Sequence, residues 1–282
     1  PADVLGDATV YLKIYFLGLP FLFMYNILSA MFNALGRSEI PLYLLIFSSL
    51  FNIVLDIFFV KPLAMGVAGV AWATLIAQGI SAVFSFLILL REMKGYEVEG
   101  KLALFDKEEF FSMARVALPS ILQQSTISIG MMLVQSVVNS FGAQVLAGFS
   151  AGMRVESICI VPMAAMGNVM SAYAAQNIGA GRLDRVKRGY HTGYGIVAAF
   201  AVLLCLILEL TCRPLILLFL GEEASAAAYH TGAGYLQFIG WFFVLIGMKM
   251  ITDGLLRGAG DMAMFTVANM VNLGIRVFAS MI

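Results

Sequence analysis

The sequence predicts an all-α, polytopic helical membrane protein arranged as a two-lobe bundle, and three observations carry that prediction. Of 282 residues, 61% are apolar and only 12% are charged, about half the charged share of an ordinary soluble domain. The apolar residues gather into eight stretches long enough to cross a hydrocarbon core about 30 Å thick. Turn and charge clusters separate these stretches, and the ten-residue alternation of a membrane β-barrel is absent.

The eight spans fall at about 11–35, 41–60, 66–90, 112–141, 144–176, 190–220, 226–256 and 262–282. The first ends at Gly36-Arg37-Ser38-Glu39, the third at the charged run from Arg91 to Glu109. The fifth ends at the turn from Gly179 to Arg188, the sixth at Gly221-Glu222-Glu223. Pro20, Pro119 and Pro162 lie within spans and are expected to kink them. Lobe assignment follows: 1–95 is part of an amino-terminal lobe of about three helices. Residues 96–111 form a cytoplasmic linker, and 112–282 make up most of a carboxy-terminal lobe of about five helices.

Orientation follows from the basic residues, which favour the cytoplasmic side. Arg37, then Arg91, Lys94, Lys101 and Lys107, then Arg182, Arg185, Lys187 and Arg188, and finally Arg257 fall in alternate loops. The opposite loops hold Lys61, with Arg213 close to the end of span six. The first residues are therefore expected outside a bacterial inner membrane and the 91–110 loop inside. The chain opens on Pro1 with no basic n-region or cleavable apolar segment, and is expected to be the interior of a longer protein. A weak repeat agrees: Tyr11, Leu12, Met24, Ile27 and Gly36 recur as Tyr235, Leu236, Met248, Ile251 and Gly260 at an offset of 224. Both copies close a span on a glycine turn at the same membrane side, which predicts a parallel repeat of the transporter kind.

Polar residues inside spans are costly and usually face a cavity or a partner. Asp56 stands out, with Asn52 one turn earlier on the same face. Asn26 in the preceding span, and Thr74 with Gln78 in the following one, can complete a group of oxygen ligands. Carboxylate, amide and hydroxyl oxygens suit a proton or a hard monovalent cation rather than a transition metal. The alternative is that Asp56 lies near the outer surface and caps its helix. Gln123, Gln124, Ser128 and Gln135 make span four polar along its length, as a substrate-cavity wall or as interhelical hydrogen-bonding groups.

Other features read as structural. Lys249, Asp253, Arg257 and Asp261 are spaced four apart, as a ladder that neutralises itself, and Glu209 with Arg213 forms a second such pair. Gly167, Ser171 and Ala175 permit close helix contact. Cys159, Cys205 and Cys212 sit in apolar runs as small hydrophobes, and His191 and His230 border loops as surface residues. The run Gly95 to Leu102 imitates a phosphate-binding loop but has Leu102 where a hydroxyl must ligate magnesium. Lys and Arg balance Asp and Glu at 17 each, which removes the electrostatic case for nucleic acid.

Several runs then resemble a known family. Tyr11-Leu12-Lys13-Ile14, Gly18-Leu19-Pro20, Ala34-Leu35-Gly36-Arg37-Ser38 and Asn52-Ile53-Val54-Leu55-Asp56 resemble the amino-terminal lobe of multidrug and toxic compound extrusion (MATE) transporters. Leu118-Pro119, Gln123-Gln124, Arg154-Val155-Glu156, Gln176-Asn177-Ile178-Gly179-Ala180-Gly181 and Leu256-Arg257-Gly258-Ala259-Gly260-Asp261 resemble its second lobe. The resemblance implies twelve helices in two lobes, of which about eight, from just before helix four into helix eleven, are present. It implies export of organic cations, drugs or other amphipathic compounds in exchange for protons or sodium, with a cation site at Asp56, Asn52, Asn26 and Thr74. Coupling is then expected in the amino lobe, because the matching carboxy-lobe positions hold Gln123, Gln124 and Ser128 in place of a carboxylate. No cofactor, no metal beyond a sodium ion at Asp56 and no obligatory protein partner are expected. Its partners would be small amphipathic substrates and the bilayer. The alternatives are a lipid-linked oligosaccharide flippase, which should line its cavity with more cations, and a membrane-embedded enzyme, which needs a catalytic pair that the spans lack.

Overall fold

Residues 2–95, 105–221 and 225–281 are described by the computed structural model, and their regular elements are all α-helices. These are α1 (Ala2–Ala34), α2 (Glu39–Val60), α3 (Gly66–Met93), α4 (Lys107–Asn139), α5 (Ala143–Gly179), α6 (Leu183–Leu220), α7 (Ala226–Ala259) and α8 (Met262–Met281). Each corresponds to one of the eight expected spans. Among the described residues, seven are long and apolar enough to cross a membrane, and α8 contributes the shorter apolar segment Met262–Ile275. The chain is a multi-pass membrane protein, and large side chains such as Leu210, Met132 and Trp241 face outward at 84%, 71% and 71% exposure, as a lipid-facing surface requires.

Helices run longer than the apolar stretches that announced them. A 38-residue α6 rises about 57 Å, well beyond a bilayer core, and its first turns carry Asp184, Arg185, Lys187 and Arg188. Hydropathy marks where a helix meets lipid; hydrogen bonding continues past that point. The same reason moves the start of α4. Asp106 caps it, accepting from the backbone N–H groups of Glu108 at 2.8 Å and Glu109 at 3.3 Å, so residues 107–111 are helical rather than linker. Residues 96–104, with most of that linker and the phosphate-loop lookalike, lie outside the described residues, as do Glu222 and Glu223.

The glycine turns of the repeat are the same in atomic detail. Gly36 and Gly260 both adopt φ 74°, a left-handed conformation that favours glycine. Arg37 N–H donates to Phe32 O at 2.8 Å and Gly36 N–H to Asn33 O at 3.1 Å; Asp261 N–H donates to Leu256 O at 3.0 Å and Gly260 N–H to Arg257 O at 3.1 Å. Each bond maps onto its counterpart at the offset of 224.

The chain divides into two units, residues 1–102 and 103–282. In the first, α3 packs against both α1 and α2, presenting Ala73, Ala77, Ser81 and Ser85 as a small-residue face, and Leu28, Phe32 and Leu89 form a modest apolar core. In the second, α5, α6 and α7 enclose Met163, Leu208, Leu236, Phe243 and Ile251, while α4 packs chiefly on α8. The α5–α7 contact is backbone-close: a Cβ added at Gly254 would lie 2.1 Å from the Gly167 carbonyl oxygen, and one at Gly258 2.2 Å from that of Ser171. The small-residue stripe expected at Gly167, Ser171 and Ala175 therefore runs through Ala174 instead, with Ala175 exposed. Cys159 and Cys212 are buried, Cys205 half-buried, and all three are free thiols. Both histidines are exposed.

The expected Glu209–Arg213 pair does not form. Glu209 accepts from Gln237 Nε2 at 3.3 Å, and the Arg213 guanidinium lies 6.0 Å from the Tyr229 ring centroid. A spacing of four puts two side chains on one face, but neighbouring α7 supplies better partners.

Candidate functional site

Within the amino unit, α1, α2 and α3 surround a cavity of about 280 Å³ lined by Asn26, Ser48, Asn52, Thr74, Gln78 and Ser81 among others. Three of the expected cation ligands, Asn26, Asn52 and Thr74, thus meet, together with Gln78. Their hydrogen bonds sort the chemistry. Asn26 Nδ2 donates to Leu22 O at 2.8 Å, Thr74 Oγ1 to Val70 O at 2.9 Å, and Ser48 Oγ to Ala77 O at 3.3 Å. With those hydroxyl protons spent on backbone carbonyls, Thr74 Oγ1 and Ser48 Oγ keep acceptor valences, as does Asn26 Oδ1, while Asn26 Nδ2 retains a second N–H. Asn52 Nδ2 and Ser81 Oγ are buried with no partner.

Asp56 lies one turn beyond Asn52 on α2 and is not itself among the cavity-lining residues. Its Oδ1 is buried and accepts no hydrogen bond. Asp56 stands four residues before the end of α2 at Val60, where the backbone carbonyl oxygens and the negative dipole end disfavour a carboxylate. A buried carboxylate oxygen without a donor is costly unless a proton or cation occupies it. Among the described residues no group of three or more His, Cys, Asp or Glu side chains could hold a transition metal.

The carboxy unit contains a larger cavity, about 640 Å³, between α4, α5, α7 and α8. Gln123 on α4 reaches across it, its Nε2 donating to Asp253 Oδ2 at 3.2 Å and Asn269 Oδ1 at 2.9 Å. Lys249 Nζ donates to the same two oxygens, at 2.5 and 2.9 Å. Gln124 also lines this cavity. Ser128 and Gln135 do not: both are exposed, and Ser128 Oγ donates to Gln124 O in its own helix at 3.1 Å. At about 100° per residue, Ser128 and Gln135 are turned some 120–140° from Gln123, whereas Ile127, Met131 and Val134 follow its face.

The four-residue ladder on α7 is real in only one rung. Lys249 pairs with Asp253, but Arg257 donates to Asn168 Oδ1 at 3.1 Å, and Asp261 accepts from the Met264 N–H at 3.1 Å to start α8. Polar partners that spacing could not reveal complete the wall: Asn168, Asn269, and Glu156, which accepts from the Tyr235 hydroxyl. The Arg154-Val155-Glu156 run was the one signal that touched any of them.

The chain is similar to known proteins. A family model described as MatE matches residues 1–58 and 119–282. The probable multidrug resistance protein YpnP of Bacillus subtilis (strain 168) is 33% identical over 278 residues, which is 96% of this chain and 60% of that protein. The probable multidrug resistance protein YoeA of the same bacterium is 27% identical over 278 residues, 95% of this chain and 58% of that protein. A solved MOP superfamily transporter from Pyrococcus furiosus Vc1 (DSM3638) superimposes with a TM-score of 0.85 at 21% identity, covering 96% of this chain and 62% of that one, and shares the fold. The chain spans about 60% of the length of the curated relatives it matches.

Proposed function

The chain belongs to the MatE family, whose members are transporters rather than enzymes, and on that premise we propose that it serves a cation-coupled antiporter exporting organic cations, drugs or other amphipathic compounds. The observation that carries the reading is the acceptor-rich cavity of the amino unit, beside which Asp56 keeps a buried oxygen without a donor. A proton or sodium ion bound there cancels the buried charge, and release of the ion restores its cost. If drug and cation stabilise different packings of the same helices, their binding is mutually exclusive and exchange follows. Names of two relatives as probable multidrug resistance proteins support the cargo class.

The flippase alternative asks for cations on the cavity wall, and Lys249 and Arg257 both stand there. Lys249 is neutralised by Asp253 at 2.5 Å, which leaves a single uncompensated cation and favours the export reading.

Efflux of a fluorescent amphipathic dye by the full-length protein in vesicles tests the proposal. Export should follow an imposed proton or sodium gradient and cease when ionophores dissipate it. Export that persists on ATP without any gradient would sink the antiport reading.

A further inference from the structure

The 640 Å³ cavity of the carboxy unit is chemically graded along its length. Helices α5 and α7 run parallel there, since Gly148 lies against Ala228, Gly167 against Met250 and Gly258 against Ser171. Toward the N-terminal ends of both helices the wall is mainly Phe149, Ile160 and Ile239, joined by Met131 and Val134 of α4, with the hydrogen-bonded Glu156 and Tyr235 set among them. Toward their C-terminal ends it is Asn168, Lys249, Asp253 and Arg257, joined by Gln123 and Asn269. A volume of this size suits a drug-sized molecule, and the grading suits one with an apolar body and a polar end.

The charge at the polar end is not balanced. Lys249 and Asp253 satisfy one another, with Gln123 and Asn269 completing their bonds. Arg257 has no carboxylate within 4.0 Å among the described residues. One of its terminal nitrogens reaches Asn168 at 3.1 Å, and its Nε–H is buried with no acceptor. Asp261, four residues further along, accepts the Met264 N–H with its Oδ1 at the start of α8. Glu156, the other carboxylate on the wall, lies about 18 Å from Asn168 along α5 and is held by the Tyr235 hydroxyl. A buried guanidinium N–H left open is a costly arrangement that an oxyanion would relieve, and the planar fork of arginine is built for one.

We infer that Arg257 anchors an anion subsite in the carboxy-unit cavity, which binds the phosphate, sulfonate or carboxylate head of an amphipathic molecule whose apolar body lies along Phe149, Ile160 and Ile239. This inference extends the export reading by giving one chemical class to one cavity. It is measured as binding without transport, so the two fail separately.

The test is calorimetric titration of the full-length protein in phosphatidylcholine nanodiscs with dodecyl phosphate, inorganic phosphate and dodecyltrimethylammonium. Dodecyl phosphate should bind saturably and more tightly than either comparator, because only it offers both an anion and an apolar chain. Arg257→Gln should weaken that binding about tenfold or more, the loss of a charge-assisted hydrogen bond, and Arg257→Lys should fall between. Arg37→Gln, at an exposed ion pair of the other unit, should leave it unchanged. Replacing part of the phosphatidylcholine with phosphatidylglycerol separates two sources of the same chemistry: competition identifies a bilayer lipid headgroup, and its absence identifies a soluble amphiphile. Undiminished binding by Arg257→Gln or Arg257→Lys, or tighter binding of the ammonium than of the phosphate, would overturn the inference.

Discussion

The two units treat buried polarity in opposite ways. In the amino unit, Asp56 Oδ1, Asn52 Nδ2, Ser29 Oγ and Ser81 Oγ are buried without hydrogen-bond partners around three helices with a small apolar core. In the carboxy unit, Gln123, Lys249, Asp253 and Asn269 close a four-member network over a much larger core, and the open valence is Arg257 Nε. The repeat makes the contrast sharper, because Lys249, Asp253 and Arg257 stand at the offset of 224 from Tyr25, Ser29 and Asn33. At these three positions α7 carries charged side chains and α1 carries neutral ones. Unpaired polar groups cost stability but leave a site able to accept and release a ligand; paired ones stabilise and do not exchange.

The strongest way to break that comparison is to remove one carboxylate from each unit. Asp56→Asn should reduce gradient-driven dye export to the level of empty vesicles without lowering thermal stability, since Oδ1 makes no bond to lose. Asp253→Asn should do the reverse. It strips Lys249 of its counter-charge and should cost about 2 kcal/mol, below the full buried-pair value because Lys249 is 37% exposed, while coupling to the ion gradient survives. Loss of coupling in Asp253→Asn with normal stability would show that the carboxy unit, too, exchanges ions.

Packing offers a second contrast. Gly254→Leu drives a side chain into the Gly167 backbone and should lower stability by about 3 kcal/mol, whereas Gly234→Ala on the same helix, with no atom within 4 Å of the added carbon, should be near neutral. Equal unfolding temperatures for the two would mean that α5 and α7 are not held by backbone contact. A small effect belongs to the ion pairs that Arg37 makes in the amino unit, with Glu39 at 3.6 Å and with Glu92. Arg37 and Glu92 meet at 3.0 Å, but Arg37 is half exposed, so Arg37→Gln should cost at most about 1 kcal/mol in thermal unfolding and less at high salt.

Much of the amino-unit site was legible because its members are close in sequence or fall at matching depths of adjacent spans. Asn52 and Asp56 share a face by spacing, and Asn26 and Thr74 meet Asn52 because α1, α2 and α3 are consecutive antiparallel helices joined by short turns. In the carboxy unit the partners of Gln123 are 130 and 146 residues away, and no periodicity connects them. Ser128 and Gln135 looked equivalent to Gln123 because all are polar on one helix; the rotation of α4 against α7 and α8 selected Gln123 and turned the others aside.

By itself, the sequence determined that the chain crosses a membrane, where each crossing lies and which turns carry glycine, because these depend on apolar length and local backbone conformation. Tertiary structure decided which charges pair. Lys249 could have closed a ladder with Asp253, Arg257 and Asp261 by spacing alone, yet Arg257 went to Asn168 and Asp261 to α8. A side chain on a helix reaches its own neighbours and those of the next helix over comparable distances. Which it bonds depends on how closely the helices approach, and here the glycines of α5 and α7 bring Asn168 within reach of Arg257 before Asp261 can claim it.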